Sequence, residues 1–417
     1  MRDVIAVGLG PANLGLAAAI DEANRDGSAL DALFVDRRSH FDWHPEMLLP
    51  SSVMQVSFLK DLVTQRNPNS PFSFISYLHA RGRLNDFINR QTFFPSRQEF
   101  VDYLSWVSDS VSPEIRWRTE VTSIDVVDNV CVVRGVRDGI SFEERARTVV
   151  LGIGSAPSLP SWARVETSRI IHNSRLRSGV AGMQLGPDSH VAVIGQGQSA
   201  AESIRFVLEQ YPETKVSCFI SGYGLVPADD SPYANRVFDP DAVDDFYFAP
   251  ANVRDEILYR HRTTNYGCVD PDLIHWLYET EYAGKVDGTT RLEFRRASQI
   301  LGASAHGNTV SLRVDQRMSN SQSVEEFDGV ICATGFAAVT PTHLLGDSIR
   351  SELGVHLARD YRIIAGEEVL PIFAVGTTDS QHGLGAGLLS NIAVRSGEIL
   401  ASIVDAHSET RELFSRL

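Results

Sequence analysis

The sequence predicts an α/β fold with two parallel sheets, because short apolar runs alternate with helical stretches along most of the chain. Two of these apolar runs end in a glycine-rich turn that opens a helix, at residues 3–23 and again at residues 190–211. A third strand-like run, 329–333, ends in Thr334-Gly335. Two such glycine turns so far apart in one chain indicate two separate nucleotide-binding domains.

The composition is that of an ordinary folded protein of two or three domains, with 417 residues, 43% of them hydrophobic and 22% charged. The net charge of −15 argues against a general nucleic-acid-binding surface. No apolar run approaches the roughly 18 residues of a membrane helix, and no signal-peptide pattern is visible. Four well-separated cysteines indicate buried thiols rather than a metal or redox motif. We therefore expect a cytoplasmic protein that binds no metal, nucleic acid or membrane.

The first predicted strand, 3–7, leads through the turn Gly8-Leu9-Gly10-Pro11-Ala12-Asn13 into a helix over 14–23. Gly8 and Gly10 match the glycines that let a backbone approach a pyrophosphate, while Asn13 replaces the usual third glycine. The next strand, 32–35, ends at Asp36, which is suited to accept hydrogen bonds from a ribose.

The second glycine turn follows a strand at 190–194 and opens a helix that continues to about residue 211; the turn is Gly195-Gln196-Gly197-Gln198-Ser199-Ala200. Alanine is an accepted third residue, so this turn predicts a second dinucleotide site. The following strand, 216–220, ends in neither an acid for a ribose nor an arginine for a 2′-phosphate. Arg205 and Lys215 are the nearby cations. The economical interpretation is one redox-active prosthetic group and one nicotinamide cofactor.

The remaining segments complete the predicted architecture of two Rossmann-like dinucleotide-binding domains with a mainly helical insertion. The Gly/Pro/Ser-rich segment 152–160 is typical of a domain linker. A strand at 370–376 and a helix at 387–403 close the chain. The predicted limits are 1–163 with 335–417 for the first domain, 164–225 with 286–334 for the second, and 226–285 for the insertion.

Several segments, in the same order along the chain, resemble the N-hydroxylating flavin monooxygenases of siderophore biosynthesis, and most closely the L-ornithine N-monooxygenases. The similarity is carried by the first glycine turn and by the stretches 54–62, 67–74, 77–79, 230–235, 264–266, 333–335, 382–384 and 388–390. The stretches 66–68 and 83–87 are less similar to the lysine branch. Two departures stand out: Ser221 replaces a cofactor-binding arginine of some relatives, and 385–387 replaces a more polar loop.

The resemblance implies FAD in the first domain, NADPH in the second and L-ornithine between them. The implied catalytic residues are Gln55, Lys60 and Asn265. The implied substrate-binding residues are Lys60, Asn235, Asn265 and Ser390. The implied cofactor-binding residues are Gly8, Gly10, Pro11, Asn13, Asp36, Trp43, His44, Gln55, Gly195, Gly197, Gln198, Ser199, Thr264 and Leu388.

The activity that the resemblance implies is hydroxylation of the ornithine side-chain amine by a hydroperoxyflavin, for which molecular oxygen is the co-substrate. A homo-oligomer, a dimer or a tetramer, is a further expectation from the family. On the residues alone, Lys60 is equally consistent with a solvated helix residue, Asn235 and Asn265 with turns, and Ser390 with a helix cap. The alternatives are an N-monooxygenase that acts on L-lysine or a diamine, and a nucleotide-binding sensor without catalytic activity.

Overall fold

The computed structural model describes residues 1–350, 356–376 and 378–415, except the side chains of 262, 263, 265, 348, 350, 379 and 407–415. Within these residues the strands are β1 (Arg2–Val7), β2 (Ala32–Val35), β3 (Glu114–Arg116), β4 (Thr119–Val127), β5 (Val130–Arg137), β6 (Ile140–Leu151), β7 (Ser155–Pro157), β8 (Ile170–His172), β9 (His190–Ile194), β10 (Lys215–Phe219), β11 (Val226–Pro227), β12 (Cys268–Val269), β13 (Leu292–Arg295), β14 (Ser298–His306), β15 (Thr309–Gln316), β16 (Ser321–Phe327), β17 (Gly329–Cys332), β18 (Phe336–Ala338), β19 (His356–Leu357), β20 (Arg362–Ala365) and β21 (Glu368–Ala374).

The helices of the same residues are α1 (Pro11–Arg25), α2 (Phe74–Ala80), α3 (Leu84–Asn89), α4 (Arg97–Ser110), α5 (Leu176–Met183), α6 (Gln198–Gln210), α7 (Ala242–Tyr247), α8 (Ala251–Asn265), α9 (Pro271–Asp287), α10 (Asp347–Arg350), α11 (Asp379–His382) and α12 (Ile392–Ser415). Short 3₁₀ turns lie at Pro45–Met47, Ser161–Ala163, Asn173–Arg175, Ala234–Phe238, Pro341–His343 and Leu389–Asn391.

The larger sheet has nine strands, with β19-β20-β21-β6-β1-β2-β3 in order and the β4–β5 hairpin joined through β5 to β6. Its centre is parallel, since β1 pairs in parallel with both β2 and β6. Alternate residues of β1 serve two cores: Val4 and Ala6 pack on the α1 side, and Ile5 and Val7 on the other. Because both faces are buried from Val4 to Val7, this part of the strand is wholly apolar, as is typical of a parallel sheet.

The second sheet is wholly parallel and has the strand order β13-β10-β9-β17-β8. It ends beside an antiparallel meander, β14-β15-β16. The central strand, β9, places the second glycine turn at its carboxyl end, directly before α6. Both sheets therefore follow the α/β Rossmann pattern, and the predicted fold class is confirmed.

The two chain segments that connect the sheets lie side by side. β7 follows β6 of the first sheet, β18 follows β17 of the second, and the two pair antiparallel, with Phe336 opposite Pro157. His172 of the second sheet donates from Nε2 to the Gly335 carbonyl oxygen at 2.9 Å, which ties this crossing to β8. The segment predicted as a linker, 152–160, thus contains one of the two crossing strands.

Two strands have the predicted bounds, and the closing helix does not. The strands predicted at 32–35 and 190–194 are observed as β2 and β9. The closing helix, predicted at 387–403, begins instead at Ile392 and continues to Ser415. A loop at 383–388 and a 3₁₀ turn precede this helix. Gly383, in the loop, has a φ of +80°, which is not a helical conformation. Residues 226–285 contain α7, α8, most of α9 and the short β11–β12 pair.

Candidate active site

The first glycine turn is shaped by close backbone packing. Gly8 has φ of +84°, and a Cβ there would lie 2.4 Å from the Gly152 carbonyl oxygen. Gly10 is the N-cap of α1 and makes no side-chain cap, and a Cβ on it would meet no atom within 4 Å. Pro11 is the first residue of the helix, where its missing N–H costs no hydrogen bond. The uncapped N–H groups and the open space beside Gly10 fit a pyrophosphate.

Asn13 holds this turn from within. Its side chain is 1% exposed, and its Nδ2 donates to the carbonyl oxygens of Gly8 at 2.7 Å and Val7 at 3.3 Å. A Cβ on Gly152 would lie 2.6 Å from the same Nδ2. The asparagine that replaces the third glycine therefore fastens the first turn of α1 to the end of β1.

Asp36 is buried at the end of β2 and its carboxylate is engaged within the protein. It accepts from the Leu9 amide at 2.7 Å and from Arg38 Nε at 2.9 Å and Nη2 at 2.8 Å. Burial opposes ionisation, but the hydrogen bonds and charge of Arg38 outweigh it and lower the pKa of Asp36. The predicted contact of Asp36 with a ribose stays a prediction.

Trp43 and His44 form an aromatic wall that reaches from α4 to the crossing strand β18. Their rings lie 4.9 Å apart, and His44 meets Phe336 of the crossing strand at 5.8 Å. Phe336 also contacts His172 at 5.1 Å. Burial, together with the charge of Arg97, lowers the pKa of His44, so that its imidazole is neutral at pH 7.

The second glycine turn repeats the geometry of the first. Gly195 has φ of +146°, and a Cβ there would lie 2.4 Å from the Ala333 carbonyl oxygen. Gly197 is the uncapped N-cap of α6. Gly267 of the insertion lies close to Gly197, since a Cβ on Gly197 would be 3.5 Å from the Gly267 Cα. Ser199 lies in the first turn of α6, half-buried. A second dinucleotide pyrophosphate fits this turn for the same physical reason.

A carboxylate that sequence analysis missed joins the candidate residues of both domains. Asp270 accepts from Gln55 Nε2 at 2.9 Å through one oxygen and from Gln198 Nε2 at 2.8 Å through the other. The Asp270 amide in turn donates to Gln198 Oε1 at 2.9 Å. We call this set of three side chains the amide bridge. The sequence signal for this residue is Asp270-Pro271 before an apolar stretch, which is a helix-start pattern.

The amide bridge continues into an ion pair. Gln198 Nε2 lies 3.2 Å from Glu202 Oε1. Glu202 is 6% exposed and accepts from Arg97 Nη2 at 2.8 Å and Nη1 at 3.0 Å. Arg97 Nη1 also donates to the Met47 carbonyl oxygen at 2.8 Å, close to the aromatic wall. This chain of contacts ties the first turns of α6 to the start of α4.

Lys60 lies in a turn that is fixed by its neighbour. The Lys60 amide donates to the Ser57 carbonyl oxygen at 2.9 Å. The buried carboxylate of Asp61 accepts from the amides of Phe74 at 2.7 Å and Thr64 at 2.7 Å. Among the described residues, the half-buried ammonium of Lys60 has no carboxylate within 4.0 Å. A cation on a rigid turn suits a substrate carboxylate.

The other predicted substrate residues come from the insertion and the C-terminal loop. Asn235 donates from Nδ2 to the Asp230 carbonyl oxygen at 3.0 Å. Its 3₁₀ turn packs on the loop before Ser390, because a Cβ on Gly385 would lie 3.6 Å from the Cα of Phe238. Ser390 is 2% exposed, and Leu388 precedes its 3₁₀ turn.

Two further candidates lie at the end of α8. Thr264 is half-buried in the last turn of the helix. The side chain of Asn265, predicted to bind substrate, lies outside the described residues. No hydrogen bond joins Lys60, Asn235 and Ser390 to one another in the part of the chain that the structure describes.

The two stretches that are less similar to the lysine branch, 66–68 and 83–87, make hydrogen bonds to helices within the protein. Arg66 and Asn67 both donate to Glu22 of α1, at 2.8 and 2.9 Å. Arg83 donates to Asp102 of α4 at 2.8 Å. The first two contacts tie the segment after Lys60 to α1, and the third ties the turn before α3 to α4.

Neither a metal centre nor a disulfide lies in the described residues. No three His, Cys, Asp or Glu side chains converge there as metal ligands, and all four cysteines are free and buried. No helix among these residues has the length and apolar character needed to cross a bilayer.

Comparison with known proteins gives one consistent result. The family model for L-lysine 6-monooxygenase/L-ornithine 5-monooxygenase matches residues 1–338. An L-ornithine N(5)-monooxygenase of Pseudomonas aeruginosa is 37% identical over 415 residues, 97% of this chain and 94% of that protein. The ornithine N-hydroxylase of Kutzneria sp. 744, solved with reduced FAD, NADP⁺ and L-ornithine, superposes with a TM-score of 0.91 at 37% identity, covering 98% of this chain and 100% of that one.

A solved L-lysine 6-monooxygenase from Pseudomonas syringae is also similar, with a TM-score of 0.83 at 30% identity over 97% of this chain and 100% of that one. The match therefore extends from one end of the fold to the other and includes both glycine turns. The chain belongs to the L-lysine 6-monooxygenase/L-ornithine 5-monooxygenase family.

Proposed function

We propose that the chain is a FAD- and NADPH-dependent monooxygenase that hydroxylates the side-chain amine of L-ornithine for the biosynthesis of a hydroxamate siderophore. The observation that carries the proposal is the pair of uncapped glycine turns, the second of which the amide bridge links to Gln55 of the first domain. The similarity to ornithine N-hydroxylases at 37% identity supports the choice of substrate.

For FAD, the residues present fit the group. Gly8, Gly10, Pro11 and Asn13 form the turn for the pyrophosphate, where a Cβ on Gly10 would project into open space. We assign Asp36, Trp43, His44, Gln55 and Leu388 to the rest of the flavin nucleotide. When bound, FAD activates oxygen with the electrons that NADPH supplies. The overall change consumes one amine, O₂, NADPH and a proton, and yields the hydroxylamine, water and NADP⁺.

For NADPH, we assign Gly195, Gly197, Gln198, Ser199 and Thr264. The uncapped start of α6 supports this assignment, because it presents free N–H groups to an anion. We also propose the domain limits: residues 164–225 and 286–334 for NADPH, residues 1–163 and 335–417 for FAD, and residues 226–285 for the substrate-binding insertion.

For the substrate, we assign Lys60 to the α-carboxylate, Asn235 and Asn265 to the α-amino and α-carboxylate groups, and Ser390 to the side of the pocket. The reacting amine must be neutral, and an alkylammonium of pKa about 10.4 is neutral in only about one molecule in 2,500 at pH 7. A poorly solvated pocket favours the neutral form. Lys60 therefore holds the charged end of the amino acid, while the opposite end loses its proton.

We also propose a cytoplasmic location, which the four free and buried thiols support. A homo-oligomer stays an expectation drawn from the family.

The test is product analysis on the purified, FAD-loaded protein with NADPH and oxygen. L-Ornithine, L-lysine and putrescine are compared by mass spectrometry of the N-hydroxylated product. We expect hydroxyornithine to dominate, with a preference over lysine of roughly 10- to 200-fold, the usual value of one methylene group. If hydroxylysine or hydroxyputrescine were the main product, L-lysine or putrescine would take the place of L-ornithine as the assigned substrate. NADPH oxidation to peroxide alone, with all three amines, would remove the N-hydroxylase assignment.

A further inference from the structure

The loop after β10 occupies the place where a Rossmann domain meets the adenosine ribose of its dinucleotide. We call residues 220–224 the β10 loop; it contains no Asp, Glu, Lys or Arg. The loop is fastened to the second glycine turn, since Gln196 Oε1 accepts from Ser221 Oγ and from the Gly222 amide, both at 3.0 Å. An acid at this place would select a free 2′-hydroxyl, so its absence leaves room for a negative group.

Two arginines from neighbouring turns converge on the β10 loop. Arg296 follows β13, the parallel neighbour of β10, and its guanidinium lies over the Tyr223 ring at 5.1 Å. Arg317 follows β15 and donates from Nη2 to the Ser221 carbonyl oxygen. Backbone pairing fixes both turns, because the Ala297 amide donates to the Gly222 carbonyl oxygen at 2.7 Å. The Arg317 amide then donates to the Ala297 carbonyl oxygen at 3.2 Å.

Both guanidinium groups are exposed and, among the described residues, neither has a carboxylate within 4.0 Å. Arg295, one residue earlier, is different, because it pairs with Glu325 at 2.7 Å and with Glu293 at 3.5 Å. A guanidinium group without a carboxylate partner is well suited to a phosphate, which accepts paired hydrogen bonds.

The two cations considered from the sequence lie elsewhere. Lys215 is the first residue of β10, at the opposite end of the strand from the β10 loop. Arg205 pairs with Glu209 at 2.7 Å and lies over Trp276 at 5.0 Å.

We propose that Arg296 and Arg317 form the clamp that binds the 2′-phosphate of NADPH and so give the enzyme its preference for NADPH over NADH. The clamp comes from the turns after β13 and β15, in place of a basic residue at the end of β10. The proposal rests on the proposed function only in that a nicotinamide dinucleotide binds at the second glycine turn.

The test is calorimetric titration of the FAD-loaded enzyme with NADP⁺ and with NAD⁺, without turnover. We expect wild-type protein to bind NADP⁺ more tightly. Arg296→Gln and Arg317→Gln should each weaken NADP⁺ binding about 10-fold, equal to about 1.4 kcal/mol, and leave NAD⁺ binding within about twofold. The affinity ratio is decisive, because a distorted loop would weaken both ligands alike.

The matched control is Arg313→Gln, an exposed arginine of β15 on the same meander, which should change neither affinity. Unchanged NADP⁺ binding in both clamp variants, or equal losses for NADP⁺ and NAD⁺, would overturn the clamp. If wild-type protein bound both dinucleotides equally, the clamp would fail while the N-hydroxylase function stood. If it bound neither, the proposed function would fail as well.

Discussion

Gly10 combines an ordinary backbone conformation with an empty space beside its Cα. Its φ of −87° suits any residue, and a Cβ would meet no protein atom within 4 Å. We expect Gly10→Val to fold normally and to lose FAD, because its side chain fills the space assigned to the pyrophosphate. Flavin absorbance and circular dichroism measure the two properties. Gly182→Val, at an equally open position in α5, is the control and should retain FAD; a yellow, fully loaded Gly10→Val would contradict the assignment.

The proposed contact of the Lys60 ammonium with the substrate carboxylate can be tested by removing this one charge. Lys60→Met keeps the aliphatic stem and removes the ammonium, so we expect the KM for L-ornithine to rise roughly 10- to 150-fold, the range of a hydrogen bond to a charged group. FAD content should stay normal. Lys285→Met, which removes an exposed cation paired with Glu281, is the control. Steady-state kinetics with unchanged ornithine saturation in Lys60→Met would refute the carboxylate contact.

The Asp36–Arg38 pair makes stability depend on pH. Because the pKa of Asp36 is lowered in the folded protein, its stabilisation is complete above its unfolded pKa of about 3.9 and is lost as the pH falls through the folded value. We expect Asp36→Asn to lower the melting temperature at pH 5–7 and to approach wild type below about pH 4. Melting curves across this range check it; a gap that widens with acid would be inconsistent.

The candidate site was predictable where local chemistry is specific. Gly8, Gly10, Gly195 and Gly197 were recognisable because a glycine turn between strand and helix has few other uses. Asp270 was missed, since its partners are 215 and 72 positions away and only the fold brings them together. Arg66 belongs to a stretch that is less similar to the lysine branch, and its contact with Glu22 binds that stretch to α1.

Among the elements, the start of α9 carries the amide bridge. We expect Asp270→Ala to slow flavin reduction by NADPH roughly tenfold and to raise the fraction of NADPH oxidised to peroxide, because Gln55 and Gln198 lose their common acceptor. Stopped-flow absorbance and peroxide assay measure these effects. Asp272→Ala, in the first turn of the same helix, is the matched control. Equal effects of both variants would indicate only a weakened helix start.

Two strands, β2 and β9, were predictable to the residue. β2 and β9 are short, apolar and followed by a turn residue, so their ends are visible in the sequence. The closing helix was misplaced because the apolar residues of 384–388 continue its pattern in the sequence. In the fold this loop packs on the insertion instead, where Gly383 lies against Phe246.

For the whole molecule, binding of FAD stabilises the folded state that holds it. We expect removal of FAD to increase hydrogen exchange in the first turn of α1 and in the 40–60 region. The backbone amides of the β14-β15-β16 meander, which is a separate sheet from the nine-stranded one, should exchange at an unchanged rate. Hydrogen-exchange mass spectrometry of the apo and FAD-loaded protein distinguishes these regions; uniform loss of protection would mean that the cofactor supports the entire chain.

The pairing of β6 with β21 has a consequence for the order in which the protein folds on the ribosome. Val149 of β6 pairs with Ile372 of β21 and can do so only after Ile372 has been translated. All strands of the second sheet are translated between these two residues. The second sheet can close as soon as it emerges, whereas the larger sheet keeps an open edge that is prone to foreign pairing until the last strands are made. Flavin capture is therefore expected to be a late event in biosynthesis, and chains interrupted before residue 374 should be recovered as aggregates.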